Sequence, residues 1–162
     1  MIPAPFDYEV ANSVEHAVEL LGSREDAKLV AGGHSLLPLL RLRFTRPALL
    51  VDIGRIDELR YVRDAGDKLA IGGMTRHHNV QHDRLVQEHC PVLSYAAGLI
   101  GDPQVRHRGT IGGSLAHADP AGDVPAVPAG GGTVSTSLSN VVARTNQTDE
   151  VRKDNDARTP KK

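Results

Sequence analysis

Two short stretches stand out among the residues that could do chemistry. They are Ala31-Gly32-Gly33-His34-Ser35 and, well downstream, Gly109-Thr110-Ile111-Gly112-Gly113-Ser114. Each is a diglycine followed closely by a hydroxyl. Glycine has no Cβ, so backbone N–H groups can converge and a ligand can approach the main chain. Successive N–H groups in a tight turn form a nest for an anion. A helix starting just after the turn would add its positive end. Ser35, Thr110 and Ser114 could give hydroxyl donors to the same anion. Two such loops could clamp a pyrophosphate from both sides, and on spacing alone two ordinary tight turns fit equally well. No Gly-Lys-Ser/Thr follows either loop, which excludes a P-loop, and neither is GxGxxG, which excludes the ordinary dinucleotide fingerprint.

Other reactive residues give less. The chain has 8 His, and His78 and His82, four apart, could share a helical face with His77 and His89 nearby. Without HExxH or a matching carboxylate, this reads as a polar exposed helix face rather than a metal site. His34 lies inside the first loop, where it could bond a ligand or face solvent. No GxSxG surrounds Ser35, so a serine hydrolase has no support. Asp119 and Asp123 could sit near a ribose or ribityl hydroxyl, or cap a helix. Their spacing fixes no acid–base geometry. Arg41, Arg43 and Arg46 read as a solvated face.

Composition excludes several classes. With 19 Lys+Arg against 20 Asp+Glu, there is no strong electrostatic footprint for nucleic acid. No apolar run is long enough for a transmembrane helix, and no signal peptide is visible. Cys90 is the single cysteine, which excludes an internal disulfide or a Cys-based metal site and points to a cytoplasmic protein.

The elements that must position the loops follow from periodicity. A helix is expected after Asn12 as cap, with Glu15 completing a capping box, a stripe of Val14, Ala17, Val18 and Leu21, and a stop at Gly22. Lys28 to Ala31 and Ala48 to Ile53 read as strands, with a short helix over Leu36 to Leu42 between them. Leu59 to Arg63 and Lys68 to Gly72 read as a hairpin. Thr75 should cap a helix over Arg76 to His82. Pro91 to Ile100 reads as a helix and Asp102 to Val105 as extended chain. From about residue 130 the chain is polar and apolar-poor, as in a disordered tail.

Taken with Met1-Ile2-Pro3, Phe6-Asp7-Tyr8, Val51-Asp52-Ile53, Ile71-Gly72-Gly73-Met74-Thr75, Asp102-Pro103-Gln104-Val105-Arg106, Ala118-Asp119-Pro120 and Asp123-Val124-Pro125-Ala126, the two loops resemble the FAD-binding medium subunit of molybdenum hydroxylases. The resemblance is nearest to aerobic carbon monoxide dehydrogenase, with the xanthine dehydrogenase FAD domain related. It covers about residues 1–127. It implies an α/β (α+β) fold of the PCMH type: a first FAD-binding subdomain over 1–57, a partial second over 58–129, and the tail over 130–162. It implies FAD as cofactor, with the diphosphate held by backbone N–H groups of Ala31, Gly32, Gly33, His34 and Ser35 and of Thr110, Ile111, Gly112, Gly113 and Ser114. Thr75 and Asp123 would also lie on the cofactor. The implied role is that of an oxidoreductase subunit, passing electrons from an iron–sulfur small subunit and a molybdenum large subunit through FAD to an acceptor. That role calls for no catalytic residue from this chain. Because family members run on well past Val127, a truncated chain is expected. A fragment that binds no FAD, and a small anion- or nucleotide-binding module, are the alternative readings.

Overall fold

The computed structural model describes residues 2–66 and 68–119. The expected tail and Asp123 lie outside them. Chain order is β1 (Asp7–Val10), α1 (Val14–Ser23), β2 (Ala27–Val30), α2 (Leu36–Arg41) and β3 (Leu49–Asp52), then β4 (Val62–Asp64), β5 (Leu69–Ile71), α3 (His77–His82), α4 (Arg84–His89), α5 (Pro91–Leu99), α6 (Pro103–Arg106) and α7 (Ile111–His117).

The first three strands form a parallel sheet in the order β1-β3-β2, with Tyr8 opposite Leu50 and Leu29 opposite Val51. The sequence explains why β3 is central. Leu49, Leu50 and Val51 are apolar on both faces and fully buried, as a strand covered on both sides requires. β1, with Asp7, Tyr8 and Glu9 exposed, takes an edge. Leu49, Val51 and Ile53 pack with Ala17 of α1 and with Val14 and Leu20. That face of α1 differs from the expected stripe, because Val18 points outward at 47 % exposure.

The second sheet is the antiparallel pair β4-β5. Its pairing continues past the strands: the Gly72 N–H donates to the Tyr61 carbonyl and the Met74 N–H to the Leu59 carbonyl. A Cβ on Gly72 would stand 2.2 Å from the Leu59 carbonyl oxygen, so only glycine fits this position. α3, α4 and α5 pack beside this hairpin around Ile71, Val80, Val86, Leu93, Ala97 and Ile111. Leu59 and Met74 instead join the cluster under the parallel sheet, which ties the two halves together.

Four local expectations need correction. The cap of α1 is Ser13, extended at φ −146° and ψ 169°, whose hydroxyl accepts from the His16 N–H at 3.1 Å; Asn12 lies one position outside and Gly22 stays within the helix. Leu59 belongs to a 3-10 turn over Asp57–Leu59, not to the hairpin strand. Thr75 caps nothing: it is buried, and its hydroxyl donates to the Tyr61 carbonyl at 3.0 Å. Asp102 to Val105 is not extended. The Asp102 carboxylate accepts from the Val105 N–H at 2.9 Å and Pro103 opens α6, so Asp-Pro starts a helix here.

The central strand sets the first stability prediction. Leu49→Ala should lower the unfolding free energy by about 2–5 kcal/mol, the usual cost of emptying a packed leucine site. Val18→Ala should cost less than about 1 kcal/mol. Urea unfolding of both variants beside the parent chain checks the contrast, and equal losses would refute the assigned faces.

Candidate functional site

The first diglycine loop leaves the carboxyl end of β2 and enters α2. Gly33 has φ +78°, a left-handed conformation that its lack of a Cβ allows. The chain then closes a helical turn, with the Leu37 N–H donating to the Gly33 carbonyl at 2.9 Å. Among the described residues, the N–H groups of Gly32, Gly33, His34 and Ser35 donate to no protein acceptor. These four residues border a cleft of about 720 Å³, within the size range of cofactor sites.

The second loop is built differently. Thr110 is the cap of α7, and its Oγ1 accepts from the Gly113 N–H at 3.2 Å. The Ile111 N–H donates to the Thr75 carbonyl, the Gly112 N–H to the Gly73 carbonyl and the Ser114 N–H to the Thr110 carbonyl. Those four N–H groups are therefore engaged inside the protein. A symmetric pair of N–H nests was the expectation, and here the structure differs. The physical reason is the helix: the diglycine and Ser114 lie in the first turns of α7, docked on the Gly73–Thr75 backbone. The glycine at 112 serves that docking, since a Cβ there would stand 2.7 Å from the Gly73 carbonyl oxygen.

The two loops meet. A Cβ on Gly32 would stand 2.4 Å from the Arg108 carbonyl oxygen and 2.8 Å from the Gly109 Cα. This contact makes one cleft out of two loops distant in sequence. Ala31, Gly32, Gly33, His34, Ser35, Thr110, Gly112, Gly113 and Ser114 all border it. Ile111 does not; it is 1 % exposed within the core of the second half. Thr75 does not border it either, and acts through its carbonyl on the Ile111 N–H. Asp123 lies outside the described residues. Leu29, Leu36, Leu39 and Met74 give the cleft apolar lining suited to a flat ring system.

One residue of the cleft was missed. His77 belongs to the group expected on an exposed helix face, yet it is 2 % exposed and borders the cleft. Its Nε2 lies 3.0 Å from the Ser114 Oγ, and its Nδ1 is buried without a partner among the described residues. Burial away from water holds the ring neutral, its pKa pushed down to about 4. The signal that could have found it is the apolar spacing of α3: Val80, three residues on and fully buried, marks the inward face. His78 instead stacks on His107, ring centroids 3.9 Å apart, and neighbours His82. No group of three or more His, Cys, Asp or Glu among the described residues is placed to hold a metal ion. No helix among them is long and apolar enough to cross a membrane.

Comparison with known proteins identifies the family and the fold. Residues 4–148 match the family described as the FAD binding domain in molybdopterin dehydrogenase, past the point where the motif resemblance ends. The chain is 52 % identical over 128 residues to the 6-hydroxypseudooxynicotine dehydrogenase complex subunit alpha of Paenarthrobacter nicotinovorans, covering 78 % of this chain and 43 % of that one. It is equally 52 % identical over 128 residues to the carbon monoxide dehydrogenase medium chain of Hydrogenophaga pseudoflava, covering 78 % and 45 %. A solved structure of carbon monoxide dehydrogenase from Hydrogenophaga pseudoflava, lacking the Mo-pyranopterin moiety of the molybdenum cofactor, superposes with a TM-score of 0.76 at 54 % identity, covering 78 % of this chain and 44 % of that one. The chain thus spans less than half the length of the relatives it matches.

The buried imidazole makes stability depend on pH. In the unfolded chain His77 takes up a proton near its ordinary pKa of 6.5, and in the folded chain only near 4. The unfolded state therefore binds more protons between these values. The contribution is complete above about pH 6.5 and is lost progressively as pH falls through about 4, the loss amounting to roughly 3 kcal/mol. His77→Leu should flatten the fall in unfolding free energy over that window. An unchanged pH profile in the variant would contradict the burial of a neutral ring.

Proposed function

The chain belongs to the family of FAD-binding domains of molybdopterin dehydrogenases, and on that premise we propose that it is the flavin-holding portion of an electron-transfer subunit of the carbon monoxide dehydrogenase type. The observation that carries this reading is the row of uncommitted N–H groups from Gly32 to Ser35 on a cleft closed by the second loop. Such a row suits the diphosphate of FAD, whose charge needs donors that the protein has not already used. Ala31, Gly32, Gly33, His34 and Ser35 would hold it on one side, with Thr110, Gly112, Gly113 and Ser114 opposite. Thr75 and Ile111 would act behind the second loop, fixing its place. Asp123 belongs to the same proposed set.

FAD, when bound, supplies one- and two-electron redox chemistry, so no acid or base is asked of this chain. Its residues bind the diphosphate, cover the ring with apolar side chains and keep water from that side. Electrons would arrive from an iron–sulfur subunit fed by a molybdenum subunit and leave to an acceptor. The two relatives at equal identity are named for different substrates, 6-hydroxypseudooxynicotine and carbon monoxide. Substrate choice is therefore assigned to the molybdenum subunit, away from this cleft. The reading divides the fold at residue 57, with the parallel sheet before it and the β4-β5 hairpin after it, while Leu59 and Met74 pack back into the first core; it assigns the cytoplasm as compartment, since the lone Cys90 permits no internal disulfide.

The test is an absorbance spectrum of the purified chain after FAD is added and free cofactor removed. Flavin bands should remain near one per chain. Gly32→Ala should lose them, because its Cβ drives the loops apart at the Arg108 carbonyl. A folded parent chain with no retained flavin would overturn the proposal.

A further inference from the structure

The two walls of the cleft differ in what they can offer an anion. The first loop presents free backbone N–H groups. On the second, the N–H groups from Ile111 to Ser114 are engaged, and Thr110 is 3 % exposed. The half-buried hydroxyl of Ser114 is the donor left facing the cleft. Which way that hydroxyl points is set by its neighbour, the buried His77. We propose that His77 is a positioning residue for a cofactor phosphate: its Nε2–H donates to the Ser114 Oγ and leaves the Ser114 O–H aimed at the anion. This rests on the flavin reading of the cleft.

The contact between Nε2 and Oγ at 3.0 Å can run in two directions. In one, Ser114 gives its proton to a bare Nε2. Its lone pairs then face the cleft and repel a phosphate. The proton on the ring would sit at Nδ1, which is buried with no acceptor among the described residues. In the other, Nε2 carries the proton and Ser114 accepts. The serine proton is then free for the ligand, and Nδ1 keeps only a lone pair. Buried donors without acceptors are rarer than under-used acceptors, so the second arrangement is favoured before any ligand arrives. An anion adds to the same preference, since it needs a donor at Ser114.

The surroundings fix the ring as a positioning role requires. The His77 N–H donates to the Gly109 carbonyl at 3.0 Å, which ties the start of α3 to the second loop. The ring packs against Gly109, where a Cβ would stand 2.9 Å from the His77 Cδ2. A neutral buried ring carries one N–H, so proton placement at Nε2 and donation to Ser114 are the same event. The first loop thus supplies donors fixed by the backbone, and the second supplies one donor fixed by a side chain behind it.

The experiment uses the full chain, with FAD and inorganic pyrophosphate as probes. His77→Leu and Ser114→Ala should each weaken binding of both by about tenfold, the loss of one hydrogen bond to a charged group. The double variant should be no weaker than Ser114→Ala alone, because His77 acts on the anion only through the Ser114 hydroxyl. His77→Gln, whose amide can also donate, should recover affinity to within about threefold of the parent, a rescue that a packing role would not give. Nitrogen chemical shifts of the labelled imidazole should report the Nε2–H tautomer. A folded His77→Leu chain with unchanged affinity, or an Nδ1–H tautomer, would overturn the proposal. A parent chain that binds pyrophosphate with this pattern but not FAD would uphold the positioning role and overturn the flavin reading. A parent chain that binds neither would overturn both.

Discussion

The structure depends on one backbone contact. Gly32 lies so close to Arg108 and Gly109 that a single methyl group would collide with main-chain atoms, which have no flexible end to move aside. Main chain against main chain fixes the loops to each other more tightly than side-chain packing would. Everything else in the cleft follows from that closeness. Ala31 comes to face Gly113, and Ser114 comes to share a cleft with His34 and Ser35. Glycine at this position is thus required by a close approach rather than by an unusual dihedral angle.

The two diglycines look alike in sequence and do different physical work. In the first, Gly33 allows a left-handed residue, and the following turn leaves its N–H groups unpaired. In the second, Gly112 allows α7 to lie flat on the Gly73 backbone, and the hydrogen bonds made there use up the N–H groups. A rigid wall and a wall of open donors are complementary. If both loops kept open N–H groups, the second loop would lose the bonds that dock it on the Gly73–Thr75 backbone. Engaging one set stabilises the cleft and leaves the other for binding.

Much of this was legible in the sequence, for reasons tied to particular residues. The apolar run Leu49-Leu50-Val51 reads as a buried strand and Pro91 suits a helix start, so the elements around them were readable. Gly22 was misread as a stop because glycine is tolerated inside an exposed helix with open space around it. Ser13 displaced Asn12 as cap because both residue types can cap, and the choice depends on where the extended residue falls. Asp102-Pro103 was read as extended through the proline, although the aspartate makes the pair a helix start. The site residues on the first loop were visible because their geometry is local. His77 was hidden because its role is not local: it needs Gly109 and Ser114, brought to it by the pairing of Arg76 with Thr110. A histidine among histidines looks like surface until that pairing is known.

That pairing also explains how a small parallel sheet comes to face a cleft with two walls. In open α/β sheets, ligands collect at the carboxyl ends of the strands, where loops and helix starts are exposed. The carboxyl ends of β2 and β3 supply one side here, through the first loop and Ile53. A three-stranded sheet is too narrow to supply the other. The second half supplies it instead, by way of the Met74–Thr75 turn. Met74 is packed into the first core cluster while Thr75 holds Ile111 by its carbonyl and Tyr61 by its hydroxyl. Two adjacent residues, one facing each half, therefore tie the second wall to both. Both are buried, so the second loop, and with it Ser114, is anchored through the interior rather than from the surface.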